Sequence, residues 1–188
     1  MNPVYEAALE IQQFCDDSGW SFCFIGGVAI QRWGEPRFTH DADLTLLTGF
    51  GEEIRYIDRL LGRFESRVPD PTAFALRSRV LLLKASNDIP IDISLGALAF
   101  EERLVERAST WEAAPGIALR TCSAEDLIIL KTFACRDGDW RDLDGVVARQ
   151  SGKLDTLLIF RELEPLLELK EDAESGKRLR KLLAENRP

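Results

Sequence analysis

FIGGVAIQRWGEPRFTHDADLTLL, Phe24 to Leu47, is the stretch from which the rest of the chain can be read. A short apolar strand, Phe22 to Ile25, runs into Gly26-Gly27, and a helix-like segment from Val28 to Trp33 follows. Gly34-Glu35-Pro36 turns the chain, and Phe38 to Leu47 reads as the next strand. That strand holds Asp41 and Asp43 at i and i+2. Both carboxylates then leave one face, while Ala42 and Leu44 point the other way into a core. Further along, IPIDIS (Ile89 to Ser94) carries Asp92 between Ile91 and Ile93.

Ionised carboxylates inside apolar strands need a partner for their charge. If Asp92 sits on a strand beside Asp41 and Asp43, three acids converge, and they repel unless a cation lies among them. Mg²⁺ takes oxygen ligands and keeps positions for water and phosphate. With two such ions, one activates an attacking hydroxyl and the other neutralises a triphosphate and its leaving pyrophosphate. The expectation is therefore that Asp41, Asp43 and Asp92 are catalytic and ligate two Mg²⁺ ions, with an NTP as substrate. An isolated D-x-D would read as scattered acids at an exposed strand end. The upstream glycine pair and the third acid downstream decide against that. Glycines between a strand and a helix let backbone N–H groups approach a phosphate, and the helix N-terminus adds favourable potential. Gly26 and Gly27 are read as nucleotide-binding on that ground.

The bulk numbers narrow the field. A chain of 188 residues, 45% hydrophobic and 30% charged, supports one good core with a small satellite. Lys and Arg number 24 against 32 Asp and Glu, a formal charge of −8, which argues against broad, non-specific DNA or RNA binding. A local basic site for one triphosphate or one RNA end stays compatible with that balance. No run of about 18 apolar residues is present, so no membrane helix is expected. MNPVYEAALE lacks a basic-then-apolar signal, so the expected location is cytoplasmic. Cys15, Cys23, Cys122 and Cys135 show no C-x-x-C spacing and read as reduced thiols.

Around the central stretch, Pro3 to Ser18 reads as an amphipathic helix capped by Asn2, and Glu52 to Leu61 as a second. Phe64 through Pro71 reads as irregular, broken by Pro69 and Pro71. Val80 to Lys84 and Ile89 to Ser94 form a hairpin across Ser86-Asn87-Asp88. Phe100 to Ala108 returns to helix, and Ile117 to Arg120 is a short strand. After Thr121 the pattern is helical throughout. Ser123 caps a helix reaching Cys135, Trp140 to Gln150 is the next, and Asp155 to Leu169 the third. The tail from Lys170 reads as a solvated helix. The division expected is a core at residues 1–120 and a helical part at 121–188.

These residues bring a family into view. IGGVAI, RFTHDAD (Arg37 to Asp43), SAEDLIILKTFA (Ser123 to Ala134) and RDLDGVV (Arg141 to Val147) together resemble the nucleotidyltransferases of the DNA polymerase β superfamily, and most closely their AbiEii/MenT-like toxin members. The resemblance spans about residues 22–150. It implies an α/β (α+β) fold: a mixed-sheet nucleotidyltransferase core flanked by helices, with a helical C-terminal part. It implies an enzyme that moves an NMP from an NTP to an acceptor and releases pyrophosphate. Gly26 and Gly27 would approach the triphosphate, Asp41 and Asp43 would hold Mg²⁺, and Asp92 would match the third carboxylate, the base for the acceptor hydroxyl. Lys131 would be the triphosphate-binding lysine, and Asp142 or Asp144 a further acidic motif. A toxin would be expected to meet an antitoxin.

Several side chains keep two readings. Lys131 follows an apolar run and either snorkels from a core helix or enters a cleft. Arg37, with Thr39 in the same register as Asp41, is assigned to nucleotide binding; its alternative is a surface ion pair. Of the acids from Asp137 to Asp144, most suit a helix start, and one can orient Lys131 or Arg141. His40 alternates away from the two aspartates and is not expected in catalysis. Trp33 and Trp140 are read as core, and Lys177 to Lys181 as a solvated face. The acceptor stays open among an RNA 3′ end, a protein hydroxyl and a small molecule. The rival reading is a non-catalytic nucleotide-sensing or partner-binding module on the same fold. A sugar-nucleotide glycosyltransferase, which also uses D-x-D, fits poorly with so small a chain and so early a glycine pair.

Overall fold

The computed structural model describes residues 2–186. Their contacts group into two compact units: residues up to Val28 with Phe38–Cys122, and Ala29–Arg37 with the chain from Ser123 onward. No described helix is long and apolar enough to cross a membrane.

The first unit is built on one sheet. Its strands are β1 (Phe22–Phe24), β2 (Ala42–Leu47), β3 (Glu65–Ser66), β4 (Val80–Lys84), β5 (Pro90–Gly96), β6 (Ser109–Ala114) and β7 (Ile117–Thr121), in the order β3-β4-β5-β2-β1-β7-β6. β2 runs parallel to β5 and antiparallel to β1, so the sheet is mixed. Strict alternation sorts β5. Ile91, Ile93 and Leu95 are fully buried, while Asp92 and Ser94 emerge on the opposite face. The apolar face meets α1 (Pro3–Asp17), whose Ala7, Ala8 and Ile11 are buried at its 3.6-residue spacing, and Ile57 and Leu60 of α3 (Glu53–Leu61). Each large side chain withdrawn from water here contributes about 1.5–3 kcal/mol.

β2 starts at Ala42, four residues later than the alternation suggests. Its ladder partners run out on both sides. β1 ends at Phe24, opposite Leu44, and β5 begins at Pro90, which has no N–H to offer. Asp41 therefore lies just outside the strand, and Asp43 is its second residue. Pro71, read as a breaker, is instead the first residue of α4 (Pro71–Ser78), where its fixed φ suits a helix start and Asp70 accepts the Ala73 N–H at 3.1 Å. β3 and β6, short or half-exposed, carry little of the alternation that marks a strand in sequence. α5 (Ala99–Glu106) completes this unit.

α2 (Gly26–Trp33) begins at the glycines themselves, not after them. The second unit comprises its later turns with α6 (Ala124–Ala134), α7 (Asp137–Arg149), α8 (Thr156–Lys170) and α9 (Ala173–Glu185). Ser123 caps α6 by accepting the Asp126 N–H at 3.0 Å. α7 starts three residues before Trp140, which is buried under the Arg178 guanidinium at 4.0 Å. The segment leading out of α2 is tied to α7: Gln150 donates to the Trp33 carbonyl at 3.0 Å, and Arg149 donates to that of Gly34. α9 is more than a solvated tail. Leu179, Leu182 and Leu183 are buried, while Lys177, Arg178, Arg180 and Lys181 stay exposed.

Candidate active site

Parallel pairing of β2 with β5 sets Asp43 directly opposite Asp92. The same face receives Asp41 from the segment entering β2. One carboxylate oxygen from each of the three lies within 4.8 Å of the others, and all three residues are half-buried. No other group of three or more His, Cys, Asp or Glu side chains among the described residues is so disposed. Burial pushes the Asp92 carboxyl up from its ordinary range. The Arg67 guanidinium opposes that, and the Asp41 charge adds to it.

The glycine pair serves this cluster at close range. Gly26 has φ +51°, and a Cβ there would overlap the Asp43 carboxylate; a Cβ on Gly27 would overlap the Thr39 hydroxyl. Only glycine lets the first turn of α2 come so near both side chains. The Gly27 N–H points at Asp43 Oδ2 across 3.4 Å. Thr39, buried among exposed neighbours, donates its hydroxyl to Asp41 Oδ1 at 3.3 Å. His40 is exposed and packs edge-on against Phe38, with ring centroids 4.6 Å apart.

Asp92 also forms an ion pair with Arg67, a residue that no motif in the sequence singles out. Arg67 follows the two-residue strand β3, and nothing in its local pattern announces a register with Asp92. The donor set of Asp41, Asp43 and Asp92 suits a hard divalent cation such as Mg²⁺: oxygen atoms only, convergent, and partly open to water.

In the second unit the Lys131 ammonium is buried between Asp139 and Asp142, at 2.7 Å from each. Asp139 and Asp142 stand at i and i+3 on α7 and so share a face. Asp142 also accepts a forked pair of bonds from Arg37, Nε at 2.7 Å and Nη2 at 2.9 Å. Burial alone would push Asp142 up, but hydrogen bonds from Arg37 and Lys131, with their charges, hold it below the ordinary carboxylate range. Arg37 and Lys131, both expected at the nucleotide, thus meet in this ion cluster. Of the acidic pair left open by the sequence, Asp142 makes these contacts.

A mixed sheet with a glycine-started helix beside three convergent carboxylates is the arrangement of a nucleotidyltransferase. The family model for the nucleotidyl transferase AbiEii toxin of type IV toxin–antitoxin systems matches residues 15–150, and the chain belongs to that family. It is therefore a nucleotidyltransferase, an enzyme that transfers an NMP. The crystal structure of an antigenic nucleotidyltransferase-like protein from Paracoccidioides brasiliensis shares the fold, with a TM-score of 0.54 at 12% identity over 99% of this chain and 94% of that one. Lincomycin-bound LnuA, a lincosamide antibiotic adenylyltransferase, aligns at a TM-score of 0.45 and 13% identity over 84% of this chain and 92% of its own. ANT(2")-Ia in complex with adenylyl-2"-tobramycin aligns at 0.43 and 17% over 93% and 91%. No curated protein matches in sequence.

Proposed function

We propose that this protein is a Mg²⁺-dependent enzyme that transfers an NMP from an NTP to a hydroxyl acceptor, and that it is the toxin of a toxin–antitoxin pair. The observation that carries the catalytic reading is the convergence of Asp41, Asp43 and Asp92 within 4.8 Å on one sheet face. The family match supports the toxin role and an antitoxin partner.

Asp41, Asp43 and Asp92 would hold the cation, which supplies charge neutralisation at the triphosphate and lowers the pKa of a bound hydroxyl. The chain's own residues do the positioning. Thr39 fixes Asp41, and the Gly27 N–H fixes Asp43. Asp92, beside Asp43 in register, accepts the proton of the acceptor hydroxyl. The acceptor oxygen bonds to the α-phosphorus, the α–β phosphoanhydride bond breaks, and its electron pair leaves with pyrophosphate. Positioning and charge stabilisation are what such a reaction asks of a protein. In the second unit, Lys131 and Asp142 order the Arg37 guanidinium.

The test is incubation with Mg²⁺, each of four α-labelled NTPs and a cell extract, with an Asp41→Ala/Asp43→Ala double variant as control. Label moving into RNA, protein or a small molecule, and lost in the control, establishes the reaction and names the acceptor class. Mg²⁺-dependent NTP binding with no label transferred would replace it with a nucleotide-sensing role.

A further inference from the structure

The proposal concerns Arg67 and rests on the reading of Asp41, Asp43 and Asp92 as a cation site. Arg67 is held at two points that do not involve the site. Its backbone N–H donates to the Leu82 carbonyl at 3.0 Å, and its Nε donates to the Leu83 carbonyl at 2.9 Å. The turn that follows is pinned too, because the Ser66 hydroxyl accepts the Val68 N–H at 3.0 Å and donates to the Val68 carbonyl at 2.9 Å. β4 thus carries the guanidinium as a fixed bracket. Leu82 lies opposite Asp92 in the β4–β5 register, so the bracket stands next to that carboxylate. Nη2 then reaches Asp92 Oδ1. A guanidinium anchored in this way cannot follow Asp92 far, and while the pair is kept it takes up one lone-pair direction of Asp92 Oδ1 that a cation would otherwise use.

We propose that Arg67 is a positioning residue that competes with the divalent cation for Asp92. It holds one oxygen of Asp92 in place, and its charge lowers the affinity of the three-carboxylate site for a cation arriving without nucleotide. The NTP, bringing its own negative charge, restores the balance, so productive cation loading is coupled to nucleotide binding. Cation affinity is set by the number of free ligand oxygens and by local charge, and Arg67 acts on both.

Mn²⁺ is the probe, titrated by calorimetry into the full-length protein without nucleotide. Arg67→Ala is expected to bind Mn²⁺ at least fivefold more tightly than wild type. Arg67→Gln, which keeps a donor for the Leu83 carbonyl while losing the charge, is expected to do the same and serves if the alanine variant does not fold. In an Asp92→Asn background the gain should shrink to the part owed to charge alone, which a merely structural role for Arg67 would not produce. With saturating NTP, the Mn²⁺ affinities of wild type and Arg67→Gln should draw together. Equal Mn²⁺ affinity in wild type and both Arg67 variants, or a gain undiminished by Asp92→Asn, overturns the competition and leaves the cation site standing. If neither wild type nor any Arg67 variant takes up Mn²⁺, the cation-site reading itself falls and the proposal with it.

Discussion

Neutralising Asp41 should stabilise the metal-free protein and abolish its response to Mg²⁺. The three carboxylates approach within 4.8 Å. At an effective dielectric of about 20, two unit charges at that separation repel by about 3.5 kcal/mol. All three residues are partly open to solvent, and screening and side-chain rotation reduce the figure several-fold. Asp41 repels both Asp43 and Asp92, so Asp41→Asn is expected to relieve about 1–2 kcal/mol in total. The asparagine carbonyl still accepts the Thr39 hydroxyl that Asp41 accepts now, so the local hydrogen bond survives. For a chain of this size the relief corresponds to a rise in melting temperature of roughly 3–6 °C in EDTA. Mg²⁺ acts in the opposite sense. At a hundred times its Kd it stabilises the wild-type protein by about 2.7 kcal/mol and leaves a variant without the site unmoved. Differential scanning calorimetry in EDTA and in Mg²⁺ should therefore show the two proteins exchange rank. An Asp41→Asn protein that melts at or below wild type in EDTA and gains as much from Mg²⁺ would refute the reasoning.

Three further outcomes follow from the same geometry. Gly26→Ala must hold an alanine at φ +51° and push the Asp43 side chain aside, so it should lose about 2 kcal/mol in urea denaturation and most nucleotidyl transfer. Lys131→Met leaves Asp139 and Asp142 buried without their shared ammonium and should cost about 3 kcal/mol by the same assay. Asp142, held below its ordinary range in the fold, contributes stability that is fully present above about pH 3.9, its unfolded value, and is lost as pH falls through the lower folded value. The deficit of Asp142→Asn in urea should therefore be full at pH 7 and shrink as the pH is lowered below about 4; a deficit unchanged down to pH 3 would contradict the ion pairing.

The carboxylate cluster was legible because period-two alternation is a strong local signal. Asp92 between two isoleucines and Asp43 between Ala42 and Leu44 can each emerge on only one face, and parallel pairing then aligns them. Where β2 begins was not legible, since that depends on where β1 and β5 end, which is a property of the sheet and not of residues 38–41. Pro71 shows the ambiguity of a single residue: the same fixed φ breaks one element and starts another, and the Asp70 cap decides which. The partners of Lys131 were half-visible. The acidic run was plain, but its phase on α7 depends on the helix starting at Asp137, and only that phase selects Asp139 and Asp142. Arg67 left no trace, because its link to Asp92 passes through the short edge strand β3.

The two acidic clusters of this chain differ in how closely their acids crowd one another, and the contrast bears on which one does chemistry. In the helical unit, Asp139 and Asp142 bind Lys131, and Asp142 binds Arg37 as well, all at hydrogen-bonding distance with acid set against base. Such an arrangement is closed: it satisfies its own charges and holds helices and a connecting segment together. On the sheet, acid is set beside acid. Register places Asp43 next to Asp92, two glycines are spent to bring a helix start against Asp43 and Thr39, and Thr39 is buried to steady Asp41. Arg67 pairs with Asp92, but the crowding of like charges among the three carboxylates works against the apo fold. Local geometry that opposes stability persists where a ligand reverses the balance, and three convergent oxygen donors suit a divalent cation, the ligand we propose for them.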